Sequence, residues 1–253
     1  MPALKVADLV KSFGDKRAVD GLSLEVPTGS MYGLVGPNGA GKTTTLSMVT
    51  GLLRPDGGRV EVLGHDVWSD PVEAKALIGV LPDGLHVFDR LSGRELIRYV
   101  ALLRGLERRV ADTRADELLQ ALGLSDDAEL LVCDYSTGMT KKIGLACALV
   151  HAPRLLILDE PFEAVDPVSG DIIRQILRAY VAGGGTVLLS SHVMEIVEAL
   201  CDSLAVVAHG RVQAAGTLDD VRQGESLTDR FLDLVGARHL ESESLAWLSS
   251  SSD

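Results

Sequence analysis

The chain has 253 residues, which is enough for one large or two modest domains around a substantial core. Hydrophobic residues make up 46% and charged residues 24%, and 36 acidic side chains outnumber 24 lysines and arginines to give a formal net charge of -12. Nucleic-acid binding needs the opposite charge balance, so we expect no nucleic-acid partner.

No targeting or membrane segment is predicted. The first eight residues lack the basic-then-apolar order of a signal peptide. No uncharged apolar run approaches the roughly 18 residues that a membrane helix needs. The cysteines, Cys133, Cys147 and Cys201, stand far apart and are interpreted as reduced thiols of a cytosolic protein. We therefore expect a soluble chain that reaches a membrane only through a partner.

Apolar and polar residues alternate near the start of the chain, which is typical of half-buried strands. The pattern predicts strands over residues 4–11 and 22–26. Residues 31–35 form a continuous apolar run, which suits a strand buried on both faces. A glycine-rich loop follows, and then a helix is predicted from about residue 42 to residue 52.

Three further apolar runs predict buried strands in the second half, at residues 155–158, 186–191 and 204–208. Helical patterns at 169–182 and 193–201 separate them. Because strands alternate with helices, we expect an α/β core with a mostly parallel sheet, preceded by an N-terminal antiparallel β subdomain.

The middle of the chain has helical periodicity, which is clearest over residues 94–122. We interpret about 87–150 as a helical subdomain inserted into the core. The main domain is predicted to span residues 1–217, followed by a C-terminal helical extension over 218–253. Residues 240–253 are serine-rich and acidic, so this tail is expected to be disordered.

A phosphate-binding loop follows the strand at 31–35. The sequence Gly36-Pro37-Asn38-Gly39-Ala40-Gly41-Lys42-Thr43 fits GxxxxGK[ST] at every fixed position. Glycines let successive backbone N–H groups converge on phosphate oxygens, and the following helix directs its positive end at the same charge. These eight residues and Thr44 are the predicted phosphate-binding residues. Lys42 is expected at the β- and γ-phosphates, and the Thr43 hydroxyl at Mg²⁺.

Two carboxylates come directly after the apolar run at 155–158, where parallel sheets place their ligand chemistry. Asp159 is predicted to hold Mg²⁺ through a water molecule. Glu160 is predicted to accept a proton from the water that attacks the γ-phosphate. Together with the phosphate-binding loop, these residues predict a P-loop ATPase or GTPase. The guanine-reading NKxD element is missing from the sequence, which disfavours GTP.

A third motif narrows the class. Tyr135-Ser136-Thr137-Gly138-Met139 resembles the LSGGQ signature loop of the ABC ATPase family, keeping the serine and the second glycine. Ser136 is a natural N-cap for a helix predicted to run to about residue 150. The resemblance implies that Ser136 and Gly138 contact the ATP held by the opposite subunit of a dimer.

Weaker matches extend the resemblance over about residues 4–216. Residues 164–167 follow Glu160 as the family's dimer-contact loop does. His192 stands where the family has a switch histidine that hydrogen-bonds the γ-phosphate, which implies a catalytic role beside Glu160 and Lys42. Phe13 stands where an aromatic ring stacks on adenine.

One position departs from the family pattern. Asp83 occupies the place of a glutamine that links Mg²⁺, the attacking water and the membrane partner, and the first glutamine of the chain is Gln120. An ionised aspartate accepts hydrogen bonds but donates none. We expect Asp83 to be a Mg²⁺ ligand and to make activation slower or more dependent on the partner.

The resemblance implies a Mg²⁺-dependent ATPase that forms a homodimer or pseudo-dimer around two ATP molecules. It implies that the ATPase powers a separately encoded permease, an integral membrane protein, from the cytoplasmic face of the membrane. Export is the favoured direction. The alternatives are an ABC-type ATPase acting on the ribosome or DNA, and a non-catalytic regulatory module.

Overall fold

The computed structural model describes residues 1–84, 88 and 90–236. The predicted disorder of residues 240–253 and the start of the helical subdomain at residue 87 lie outside this described part.

In chain order the strands are β1 (Leu4–Phe13), β2 (Lys16–Val26), β3 (Met31–Val35), β4 (Gly57–Val62), β5 (His65–Asp66), β6 (Ile78–Leu81), β7 (Leu155–Leu158), β8 (Thr186–Ser191), β9 (Ser203–Ala208) and β10 (Arg211–Thr217). The helices are α1 (Lys42–Val49), α2 (Pro71–Ala76), α3 (Gly93–Leu103), α4 (Arg108–Ala121), α5 (Thr137–Leu149), α6 (Pro167–Ala182), α7 (Met194–Leu200), α8 (Leu218–Arg222) and α9 (Leu227–Val235), with a short 3-10 helix at Val132–Asp134.

The strands form two sheets. Four antiparallel strands pair in the order β2-β1-β4-β5. The second sheet has the order β10-β9-β3-β8-β7-β6 and is parallel except for the edge strand β10. The predicted fold class, an α/β core with a mostly parallel sheet and an N-terminal antiparallel unit, is confirmed.

Each face of the parallel sheet packs against its own hydrophobic core. Along β7, Leu156 and Leu158 contribute to the core shared with α3 to α7, while Leu155 and Ile157 contribute to the core under the antiparallel sheet. This division explains why β7 is a continuous apolar run: both of its faces are buried.

Several sequence predictions needed correction. The helix that begins at Lys42 ends at Val49, not at residue 52. The helical stretch 94–122 is two helices, because Gly105 adopts a left-handed conformation (φ 81°) between α3 and α4. Strands β4, β5, β6 and β10 and helix α2 were not predicted. The segments at β5 and β6 are two and four residues long, too short for a periodic pattern.

Parallel pairing places the functional loops at one edge of the sheet. The phosphate-binding loop follows β3, Asp83 follows β6, Asp159 follows β7 and His192 follows β8. Because β3, β6, β7 and β8 run parallel, their carboxyl ends lie at the same edge. None of the described helices combines the length and the apolar character needed to span a membrane.

Candidate active site

A cleft of about 480 Å³ opens at this edge of the sheet. It is lined by residues from five separate segments: Phe13, Lys16, Ala18, Pro37, Asn38, Gly39, Gly41, Lys42, Thr43, Thr44, Asp83, Glu160, Glu163 and His192. The cleft therefore brings together the phosphate-binding loop, the carboxylate after β7, the residue in the glutamine position and the histidine after β8. Of the predicted site residues, Gly36, Ala40 and Asp159 lie buried next to it.

The glycines of the loop are required by close backbone contacts. Gly41 has a left-handed conformation (φ 108°), and a Cβ atom there would lie 2.6 Å from the Ala18 carbonyl oxygen. A Cβ on Gly36 would lie 2.3 Å from the Val207 carbonyl oxygen. Within the described residues no side chain caps α1, so the N–H groups of its first turn stay available for an anion.

Lys42 is held inside the loop. Its Nζ donates to the Gly36 carbonyl at 2.7 Å and to the Pro37 carbonyl at 3.4 Å, and it lies 3.4 Å from Glu160 Oε1. The residue is only 6% exposed. A buried ammonium group with this partner set is placed to neutralise phosphate charge that enters the cleft.

Asp159 lies beneath the cleft floor. The Ser190 hydroxyl donates to its Oδ1 at 2.5 Å, and the Thr43 side chain is also within hydrogen-bond reach of the carboxylate. Burial raises the pKa of Asp159 above its ordinary value. The hydrogen bonds from Ser190 and Thr43 oppose this rise, and the charges of Asp83 and Glu160 add to it.

Glu160 has an unusual backbone conformation. Its φ is 45°, in the left-handed region, and its N–H donates to Ser190 Oγ at 2.9 Å. The side chain then points into the cleft, where Oε2 lies 3.1 Å from His192 Nδ1. The carboxylate thus lies between Lys42 and His192, which suits a proton acceptor held in a fixed orientation.

The carboxylates fit a Mg²⁺ ion that keeps most of its water. Among the described residues there is no cluster of three or more His, Cys, Asp or Glu side chains with metal-binding geometry. Mg²⁺ needs no such cage, because it is held by one or two carboxylates together with phosphates and water. Asp159 and Thr43 supply the oxygen donors for that arrangement, and Asp83 lies at the wall of the same cleft.

The signature loop lies apart from this cleft. Ser136 is exposed and caps α5, its Oγ accepting from the Met139 N–H at 3.3 Å, which confirms the predicted N-cap. Neither Ser136 nor Gly138, both among the described residues, lines the cleft. Gly138 packs against the start of α6, where a Cβ would lie 2.9 Å from Asp166 Oδ2 and from Ser169 Oγ.

Phe13 stands at the cleft mouth with half of its surface exposed. Lys11 Nζ lies 5.8 Å from the centre of the ring, and Lys11 is itself fixed by an ion pair with Asp56. The half-exposed ring therefore presents an apolar surface at the mouth of the cleft.

Sequence reasoning missed five residues at or beside the site. Lys16, Ala18 and Glu163 line the cleft, Ser190 bonds both Asp159 and Glu160, and Lys141 Nζ donates to the Glu160 carbonyl at 3.0 Å. Ser190 is the penultimate residue of β8 and Lys141 lies within α5, and both positions are typical of ordinary structural residues. Their roles depend on neighbours that are distant in sequence.

The fold and the cleft define a P-loop nucleotide hydrolase. A family model described as "ABC transporter" matches residues 19–163, and the chain belongs to that family. It is an ATP-binding subunit of an ABC transporter, an ATPase whose activity is coupled to transport.

Known relatives agree with this assignment. The daunorubicin/doxorubicin resistance ATP-binding protein DrrA of Streptomyces peucetius is 42% identical over 87% of this chain and 67% of its own length. The Nod factor export ATP-binding protein I of Sinorhizobium fredii is 40% identical over 83% of this chain and 61% of its own length. A solved ATP-binding subunit of an ABC transporter superposes with a TM-score of 0.85 at 30% identity, covering 92% of this chain and 99% of that one.

Proposed function

We propose that two ATPase subunits, two copies of this chain or this chain with a paralogue, close head to tail around two ATP molecules and power export by a separate permease. In each composite site one subunit supplies the cleft residues Lys42, Glu160 and His192, and its partner supplies Ser136 and Gly138. The ATPase acts at the cytoplasmic face of the membrane as a peripheral subunit.

One observation carries the dimer proposal. Ser136 is an exposed helix cap with an N-terminal dipole behind it, which is an anion site, yet it lies outside the subunit's own nucleotide cleft. Ser136 would meet a phosphate only if another subunit's nucleotide were brought to it.

Within one subunit, Mg²⁺ would be held by Thr43 and Asp159, with Asp83 nearby. When bound, the ion neutralises phosphate charge. Glu160 accepts the proton of the attacking water, His192 orients Glu160 and the γ-phosphate, and Lys42 stabilises the β- and γ-phosphates.

We propose that the permease contacts the region around Leu52 and Leu103. Leu52 and Leu103 are 74% and 68% exposed, although both are large aliphatic side chains. Leu52 also lines a cavity of about 410 Å³ that reaches Arg104, the residue after Leu103. Large apolar side chains exposed beside such a cavity support a partner contact in this region.

Export is favoured by the relatives. One of them is the ATP-binding protein of Nod factor export, and another confers daunorubicin and doxorubicin resistance. The residues of the cleft do not determine which substrate is exported, because the cleft binds nucleotide. The residues that select cargo belong to the permease.

Co-purification tests this function. The tagged chain is isolated from detergent-solubilised membranes, and the complex is reconstituted into vesicles with and without ATP. We expect an integral membrane protein in stable complex and transport that Lys42→Ala abolishes. Recovery of ribosomes or DNA in its place would support the alternative ATPase without a membrane partner.

A further inference from the structure

Lys141 is a buried cation that does not line the nucleotide cleft. It lies in the first half of α5, five residues after Ser136, and its side chain is only 10% exposed. Burying an ammonium group is costly unless partners compensate for its lost hydration. The partners of Lys141 are the Glu160 carbonyl oxygen at 3.0 Å and Asp83 Oδ1 at 3.8 Å.

The first partner belongs to the residue with the left-handed backbone. Such a conformation persists only where the surroundings hold it in place. At Glu160 the N–H donates to Ser190 Oγ and the carbonyl accepts from Lys141 Nζ, so side chains from β8 and α5 fix the main chain from both sides. The direction of the Glu160 carboxylate follows from that fixed main chain.

The second partner is the aspartate that replaces the family's glutamine. Asp83 accepts hydrogen bonds and carries a negative charge, whereas an ammonium group donates hydrogen bonds and carries a positive charge. Side by side, Asp83 and Lys141 offer one acceptor, several donors and no net charge. A glutamine amide offers the same combination in one neutral group.

We infer that Lys141 is a positioning residue that fixes the Glu160 main chain and pairs with Asp83, so that the ion pair takes the place of a neutral amide. This inference rests on the proposed function, because it gives Lys141 a part in the hydrolysis assigned to Glu160. Lys141 also connects α5, the helix that Ser136 caps, to the main chain of Glu160. A shift of α5 when Ser136 meets the opposite ATP therefore reaches Glu160 directly.

The experiment compares Lys141→Met with Lys142→Met in the full chain. Lys142 is the next residue on the same helix and is similarly buried, but within the described residues it makes no hydrogen bond or ion pair with Glu160 or Asp83. Misplacing a catalytic group by about 1 Å costs on the order of 100-fold in rate. We expect Lys141→Met to lower kcat roughly 10- to 100-fold, and Lys142→Met to leave kcat within about twofold.

Two further measurements separate positioning from general loss of structure. Lys141 lies outside the nucleotide cleft, so KM for ATP and the affinity for a fluorescent ATP analogue should change less than about threefold while kcat falls. Lys141→Arg keeps the charge and the donors and should recover most of the lost kcat. Equal kcat in Lys141→Met and Lys142→Met, or equal loss of kcat and analogue binding in Lys141→Met, would overturn the inference.

The pairing with Asp83 is tested by a double-mutant cycle. Asp83→Gln removes the carboxylate that Lys141→Met leaves unpaired, so the double variant should be several-fold more active than the product of the two single effects predicts. Strictly additive effects would refute the pair. If Lys141→Met does not fold, Lys141→Gln takes its place in the same cycle. Absence of ATPase activity in the wild-type complex would refute the proposed function itself. If the wild type is active and Lys141→Met has the same kcat as the wild type, only the role of Lys141 is refuted.

Discussion

Lys42 Nζ and Glu160 Oε1 face each other across the nucleotide cleft at 3.4 Å. In the proposed mechanism the two groups have opposite tasks, because the lysine attracts phosphate and the carboxylate accepts a proton. At this distance each group partly neutralises the charge of the other. In that mechanism, phosphate that binds Lys42 would compete with this ion pair, so that the carboxylate of Glu160 would be left to water and His192.

Glu160→Gln tests that base. The amide is nearly isosteric with the carboxylate but cannot take a proton, and general-base help contributes roughly 10²–10⁴-fold in rate. We expect turnover to fall by that factor while ATP binding is retained. The variant should also accumulate an ATP-bound dimer, which light scattering detects. Turnover close to wild type in the presence of the permease would exclude Glu160 as the base.

The sequence predicted the elements that carry strong local signals. The buried strands β3, β7 and β8 are continuous apolar runs, and the residues that follow them met in one cleft. The phosphate-binding loop was found because its glycines satisfy backbone demands at fixed spacing. Ser136 was recognised as a helix cap for the same kind of local reason.

A mixed dimer with a different substitution in each subunit tests whether Ser136 contacts the ATP of the opposite subunit. One subunit carries Lys42→Ala and the other Ser136→Arg, so one composite site holds both lesions and the other site holds none. We expect the mixture to regain ATPase activity that each homodimer lacks. The measurement is the ATPase rate across mixing ratios, with dimer formation checked at each ratio. A mixture that dimerises but stays inactive would contradict the contact between Ser136 and the ATP of the opposite subunit. It would alternatively show that one composite site cannot hydrolyse ATP while the other is inactive.

Asp159→Asn is expected to stabilise the nucleotide-free chain. Burial raises the pKa of Asp159, with a further contribution from the charges of Asp83 and Glu160. The folded state then holds this proton more tightly than the unfolded state, so stability is lost as pH rises through the folded-state pKa. Near neutral pH the ionised group therefore destabilises the fold. The amide removes this cost and still accepts from the Ser190 hydroxyl.

We expect the Tm of Asp159→Asn to exceed that of the wild type by about 2–4 °C near neutral pH. Differential scanning fluorimetry at several pH values should show the difference shrinking as pH falls. Hydrolysis should be lost in the same variant, because a Mg²⁺-side carboxylate is gone. A lower Tm at every pH would contradict the assignment of Asp159 as a costly buried charge.

His151 predicts a second pH effect, away from the cleft. Burial lowers the pKa of His151 to about 4, and the charges of Arg104 and Arg114 contribute, while the hydrogen bond with the Ile78 carbonyl at 3.0 Å opposes the fall. The unfolded chain takes up a proton below about pH 6.5 and the folded chain does not, so stability is lost as pH falls from about 6.5 towards 4.

His151→Gln keeps a donor for the Ile78 carbonyl but does not titrate. We expect its free energy of unfolding to fall less than that of the wild type between about pH 7 and pH 5. Urea unfolding at the two pH values measures this difference. Parallel losses in the two proteins would show that His151 is protonated in the folded chain over this range.

Ser190 and Lys141 could not be predicted because their partners are brought together only by the fold. Ser190 reaches Asp159 across 31 positions of sequence, and Lys141 reaches Glu160 across 19. Neither residue type has a distinctive pattern around it. Ser190, near the end of β8, and Lys141, within α5, contact the residues that follow β7 only because the fold packs these three elements together.

The charge of Asp83, which stands in place of a glutamine, should make ATP hydrolysis more dependent on Mg²⁺. The Asp83 carboxylate is about half exposed and lines the cleft, whereas Lys141 does not line it, so the ion pair compensates the charge only in part on the cleft side. The remaining charge adds repulsion near the γ-phosphate that a neutral amide would not. Mg²⁺ offsets this repulsion only when bound. The ATPase rate of the wild type should therefore depend more steeply on free Mg²⁺ than that of Asp83→Gln, which should retain or raise basal activity because the amide both accepts and donates. Asp83→Ala should lower activity by removing the contact on the metal side. Identical curves for the three proteins at saturating ATP would place Asp83 beyond the reach of the metal and assign it to the surface that meets the permease.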